Sequence, residues 1–135
     1  MLYNPAGYIQ SVFSEITVDT STTGDTNWHD LLTATIITSD TFINIWAAAS
    51  GEDSGSYSCK FQITVDAVAK RGWAIDYQSI VYTCGGIFYK MAVAAGTHTV
   101  KLQYGVTNSG DDNSILVVTH PLYESATLLV VETSF

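Results

Sequence analysis

Few residues in this chain are of types that do chemistry, and their spacing suits chemistry poorly. His29, His98 and His120 have no second His, Cys or carboxylate at metal-ligand spacing, apart from Asp30 next to His29. Neighbours on an extended chain point to opposite faces, so that pair makes a poor ligand set. His98 stands at the inward end of a candidate strand beside Gly96, where a ring nitrogen can bond a turn carbonyl, and a structural role is expected. The segment DTSTTGDTNWHD places Asp19, Ser21, Thr23, Asp25, Asn27 and Asp30 at the ligand positions of a calcium-loop frame, with Gly24 at its turn position. Two hydroxyls replace the usual carboxylates or amides, and Asp30 is shorter than the closing glutamate, so a solvated polar loop is expected and no metal. Asp111 and Asp112 in NSGDDNS read in the same way.

Cys59 and Cys84 share faces with apolar neighbours in YSCKFQITV and SIVYTC, so both are expected as buried free thiols. GxSxG, GxxxxGK[ST] and HExxH are all missing, and no acidic pair is singled out by spacing. A protein with no catalytic residues, no metal and no cofactor is expected. Trp28, Trp46 and Trp73 could stack on sugar rings, though packing is the commoner use of tryptophan. Along FINIWAAA, Trp46 shares a face with Phe42, Asn44 and Ala48, which leaves its direction open.

The elements that hold these residues are strands. In GTHTVKLQYGV, His98, Val100, Leu102, Tyr104 and Val106 take one face while Thr97, Thr99, Lys101 and Gln103 take the other. That period of two marks a strand with one face in a core and one in water. Further strands are expected at Ile9–Asp19, Leu31–Ser39, Phe42–Ala49, Tyr57–Val68, Trp73–Cys84, Ile87–Ala94, Ser114–His120 and Ala126–Glu132. The breaks between them include SGEDSGS, Arg71-Gly72, Gly85-Gly86 and Ala95-Gly96. Helical periodicity is nearly absent. About eight strands with short loops predict an all-β fold, an antiparallel β-sandwich of jelly-roll type.

The chain has 135 residues, enough for one domain, with 47% hydrophobic and 13% charged residues, about half the usual charged share. Five basic residues against thirteen acidic ones leave a net charge of −8, which disfavours nucleic acid and anionic membrane surfaces. No apolar run is long enough to span a bilayer, and no basic region or apolar run marks a signal peptide, so assembly inside a cell is expected.

Residues 1–10 differ from the domain over 11–135: Pro5 and Gly7 break a strand, yet Leu2, Tyr3 and Tyr8 offer apolar anchors. They are expected to form an arm that docks on a partner, with Leu2, Tyr3, Pro5 and Tyr8 as its contacts. SILVVTH and SATLLVVE are apolar on both faces, beyond what a two-layer sandwich covers. Another copy of the chain is expected against Ile115, Val117, Leu129 and Val131.

Ala95–Val106, AGTHTVKLQYGV, followed after a polar loop by ATLLVVE at Ala126–Glu132, resembles the ending of small β-sandwich proteins of tailed-bacteriophage virions. KFQITVDAV at Lys60–Val68 resembles their internal strand and turn, with Ala67 where a glycine is expected. The resemblance implies a jelly-roll protein of the virion surface, a homotrimer, with no active site. A capsid decoration or cement protein is the expectation: it would be made in the host cytoplasm, bind the major capsid protein on the outer shell and stabilise it. A chain of this length without a stalk favours that over the alternative, a tail-fibre or baseplate module that grips host glycans.

Overall fold

The computed structural model describes residues 7–16, 20–23, 27–53, 59–75, 83–106, 114–117 and 126–135. These residues form strands and no helix: β1 (Tyr8–Ile16), β2 (Thr20–Thr23), β3 (His29–Thr38), β4 (Thr41–Asp53), β5 (Cys59–Val65), β6 (Val68–Ile75), β7 (Thr83–Val93), β8 (Gly96–Val106), β9 (Ser114–Val117) and β10 (Ala126–Thr133). All pairings are antiparallel. One sheet runs β1-β10-β4-β7, and the other runs β3-β8-β5-β6. The short pair β2–β9 extends the first sheet, with β9 alongside Gly51–Asp53 of β4.

With the two short strands set aside, the long strands taken in chain order lie 1-8-3-6 in one sheet and 2-7-4-5 in the other. That interleaving of two Greek keys is a jelly roll. The chain is therefore an antiparallel β-sandwich of the expected type.

The core lies between the sheets. Ile43, Ile45, Leu128 and Val130 of the first sheet meet Ile36, Phe61, Ile63, Val100 and Leu102 of the second, all at 1% exposure or less. Each such side chain contributes roughly 1.5–3 kcal/mol relative to an exposed one. The alternation in β8 holds as expected, with Val100, Leu102 and Tyr104 buried.

β5 and β6 form a two-residue hairpin, in which Val65 pairs with Val68 across Asp66 and Ala67. Both turn residues have positive φ, 51° and 64°. A two-residue hairpin matches the strand twist with that conformation, which favours glycine at the second position. Ala67 adopts it without glycine's freedom, so Ala67→Gly is expected to stabilise the fold by about 0.5–1 kcal/mol. Thermal melts of the two proteins check this.

Several expected breaks are strand interior. Arg71-Gly72 lies within β6, Gly85-Gly86 within β7, and Gly51-Glu52-Asp53 within β4. Two of these glycines answer to close approach. A Cβ on Gly72 would come 2.5 Å from the Phe61 carbonyl oxygen, and one on Gly85 would come 2.4 Å from the Trp73 indole nitrogen. The expected arm is corrected at its end: Tyr8–Gln10 belong to β1, because β10 offers its edge from Ala126 to Thr133. Leu2, Tyr3 and Pro5 lie outside the described residues.

Candidate interaction surface

The two outer faces of the sandwich differ in chemistry. On the second sheet, β3 and β8 present Thr33, Thr35, Thr97, Thr99, Lys101 and Gln103 outward. A polar chain crosses this face. The Gln62 amide donates to Gln103 at 2.8 Å, the Gln103 amide donates to Asp30 at 2.7 Å, and the Lys101 ammonium donates to Asp30 at 2.5 Å. Gln103 first, then Lys101, hold the Asp30 carboxyl below its ordinary range. Asp30 closed the calcium-loop frame in the sequence. It sits in β3, facing a lysine, and Asp19 and Asp25 lie outside the described residues. Among the described residues no three His, Cys, Asp or Glu side chains converge as metal ligands, and no helix is long and apolar enough to cross a membrane.

The first sheet's outer face carries a large apolar row. Register places Phe13 of β1 opposite Leu129 of β10, Leu129 opposite Trp46 of β4, and Trp46 opposite Phe88 of β7. One row of four large apolar side chains thus crosses four strands. Phe13 is 59% exposed, Phe88 45% and Trp46 44%, and the Trp46 and Phe88 rings lie 5.0 Å apart at 42°. A shallow groove of about 480 Å³ runs between them, floored by Ala48, Gly86, Thr127 and Leu129. Apolar side chains exposed together in this way mark an interaction surface.

This row answers the open question about Trp46, since Ile43 and Ile45 fill the core and Trp46 faces out. Leu129 and Val131 lie half-buried on the same outer face, opposite in direction to Ala126, Leu128 and Val130 in the core. Ile115 and Val117 fall in β9, but their side chains lie outside the described residues. Phe13 and Phe88 were not singled out by sequence, because only cross-strand register brings them into line with Trp46.

The other tryptophans have different work. Trp73 stacks on Phe61 at 4.9 Å and 19° and closes the sandwich edge between β6 and β7. Lys60 lies 4.5 Å from the Trp28 ring centroid, a cation–π contact. Cys59 sits in β5 and Cys84 in β7, in opposite sheets, with side chains outside the described residues. His120 also lies outside them.

Two polar clusters brace the frame. His98 bonds both ways: Nδ1 to Asp66 at 2.8 Å and Nε2 to the Ala94 carbonyl oxygen at 2.8 Å, which is the turn carbonyl expected from sequence. Asp66 also accepts the Thr99 amide at 2.9 Å. Two acceptors facing one imidazole favour the doubly protonated ring, so the Asp66 bond and then the Ala94 bond raise the His98 pKa above 6.5. The same pairing first, then the Thr99 amide, lowers Asp66 below 3.8.

The raised histidine contributes stability that is complete below pH 6.5 and lost as pH rises through its folded pKa. The lowered aspartate contributes stability present above pH 3.8 and lost as pH falls through its own. The pair therefore favours the fold most between those limits. Melting temperature should decline on the alkaline side of that window, and His98→Gln should flatten the decline. An unchanged alkaline slope would exclude the cluster as its cause.

The second cluster surrounds Glu132, which is 1% exposed. Its carboxylate accepts Gln10 Nε2 at 2.6 Å, Thr41 Oγ1 at 2.6 Å and the Ser39 amide at 2.8 Å. Burial pushes its pKa up, and the Thr41, Gln10 and Ser39 donors together outweigh burial and hold it below its ordinary 4.5.

Neither a protein-family model nor a curated protein sequence matches the chain. Among solved structures it is similar to dimeric latent PorU from Porphyromonas gingivalis, with a TM-score of 0.60 and 6% identity. The match covers 96% of this chain and 13% of that one, so the chain spans about an eighth of PorU's length. At that identity the likeness concerns the fold, an antiparallel β-sandwich.

Proposed function

We propose that this protein is a non-enzymatic structural module of an assembly, and specifically a capsid decoration protein that binds the outer shell of a tailed-bacteriophage virion and stabilises it. One observation carries the assembly reading: a four-strand sheet face bearing the row Phe13–Leu129–Trp46–Phe88, with its three aromatic side chains exposed. Apolar contact suits a chain of net charge −8, which has few cations to spend on ion pairs. The virion assignment rests on the strand pattern of Ala95–Val106 and Ala126–Glu132. In this reading the protein adds buried area between capsomers that packaged DNA pushes apart, and particles lacking it release DNA at a lower temperature.

The test is co-sedimentation with capsids stripped of accessory proteins, at low and at moderate salt. Binding that survives salt supports the reading, because apolar contacts are not screened. Attachment to host cells or glycans with no binding to capsids would replace it with the receptor-binding reading, which the exposed Trp46–Phe88 pair favours.

A further inference from the structure

We infer that the outer face of the β1-β10-β4-β7 sheet is covered by the same face of a second copy of this chain, related by a two-fold axis that runs along the strands between β10 and β4. The inference gives the apolar row to contact between copies, so any capsid contact of the proposed function falls to other surfaces of the pair, and pairing is tested apart from it.

The row itself is self-complementary. Its order across the sheet is Phe13, Leu129, Trp46, Phe88. Turning a second copy about an axis between Leu129 and Trp46 sets Phe13 opposite Phe88 of the partner subunit and Leu129 opposite Trp46 of the partner subunit. Large meets large at the rim and Leu meets Trp at the centre, the arrangement of an isologous interface. Aligned stacking of two sheets about 10 Å apart is a standard way to bury such faces.

Charge selects the same face. Copies of net charge −8 repel one another over most of their surface. The described outward positions of this sheet carry one acid, Glu15, and one base, Lys90, at diagonal corners. Lys90 leans over Phe42 at 5.0 Å and over Phe135 at 5.2 Å, which keeps its charge at the rim. The face is thus locally neutral, so two acidic copies can meet there.

Area is sufficient for a reversible pair. Four strands about 4.8 Å apart and about seven residues long present roughly 450 Å² from each copy. Together these approach the ~1,000 Å² at which interfaces become specific. A sugar is a weaker fit, because a glycan needs hydrogen-bonding groups beside the rings. The Asn44 amide is already engaged, donating to Thr133 Oγ1 at 2.9 Å, and Thr127 is the polar side chain left in the groove lining.

The experiment is light scattering of the full chain across a dilution series, with circular dichroism to confirm folding. The expected mass is near twice 14.6 kDa at high concentration, falling to one chain on dilution. Phe13→Ser with Phe88→Ser, both at exposed positions, should leave the spectrum unchanged and weaken pairing at least tenfold. Ser11→Glu provides a gain that a folding defect cannot mimic. Ser11 shares its row with Lys90, so the axis sets the new carboxylate opposite Lys90 of the partner subunit. Pairing should tighten several-fold at low salt, and the gain should vanish in high salt. A monomer at every concentration overturns the inference. So does the trimer that the virion resemblance implies, and so does a dimer indifferent to all three substitutions, including one that binds glycans through Trp46 and Phe88.

Discussion

Glu132→Ala is expected to lower stability by about 3–4 kcal/mol, the largest effect of any single substitution considered. The carboxylate is the common acceptor of three donors from separate parts of the chain: Gln10 in β1, Ser39 in the β3–β4 connection and Thr41 at the start of β4. Removing it takes the shared acceptor from all three donors at once, and hydrogen bonds to a charged group are worth about 1.5–3 kcal/mol each before coupling between them is counted. Gln10 would be loosened as well, since its Nε2 also donates to the Ile37 carbonyl oxygen at 2.6 Å and so ties β1 to β3 across the sandwich edge.

Glu132→Gln keeps the volume but turns an amide NH2 toward donors, so an intermediate loss of about 1–2 kcal/mol is expected. pH separates the charge from the shape. Because the folded pKa lies below 4.5, the carboxylate's contribution is present above that value and lost as pH falls through the folded pKa. The gap between wild type and Glu132→Gln in chemical denaturation should therefore be widest near neutrality and narrow in acid. A gap that stays constant would mean that packing alone is at stake.

Gly85→Val is expected to cost about 2–3 kcal/mol. The Trp73 indole occupies the space a side chain at 85 would need, with its nitrogen 2.4 Å from the ideal Cβ position. Trp73 cannot retreat cheaply, because its ring is stacked on Phe61, which is fully buried. The indole N–H has no hydrogen-bond partner among the described residues, so Trp73→Phe keeps the stack while freeing room. The two substitutions should be non-additive: Trp73→Phe should recover much of the loss from Gly85→Val. Strict additivity in a double-mutant cycle would show that the two positions do not meet.

These two sites also mark where sequence reading fails. β8 was legible because alternation is local: each residue's neighbours in the chain declare its face, whereas β10 was legible as a strand apolar on both faces. Gly72 and Gly85 read as turns because an interior glycine and a turn glycine look alike along the chain. What distinguishes them is Phe61 and Trp73, brought up by pairing and by closure of the sandwich edge. Glu132 read as the polar end of a strand, since nothing nearby in sequence hints at donors from residues 10, 39 and 41. The interaction face was half legible. Leu129 and Val131 stood out as a second apolar face on one strand, while Phe13 and Phe88 needed the register of three pairings to fall beside them.

The jelly roll makes neighbours of β1 and β10. Tyr8 pairs with Thr133, and the Ser134 amide reaches the Gly7 carbonyl oxygen at 2.8 Å. During synthesis, then, β1 emerges from the ribosome long before the strand that completes it. Until residue 132 is free, Val12 and Ile16 have no finished core to enter, and Gln10 has no carboxylate to bind. Folding of this sandwich must wait for β10 and then join strands whose Gln10 and Glu132 lie 122 positions apart, which places it in the slow range, about milliseconds to seconds, typical of sandwiches. In that interval the nascent chain holds an unpaired first strand bearing Phe13, and crowding of many ribosomes on one message is where misassembly would begin.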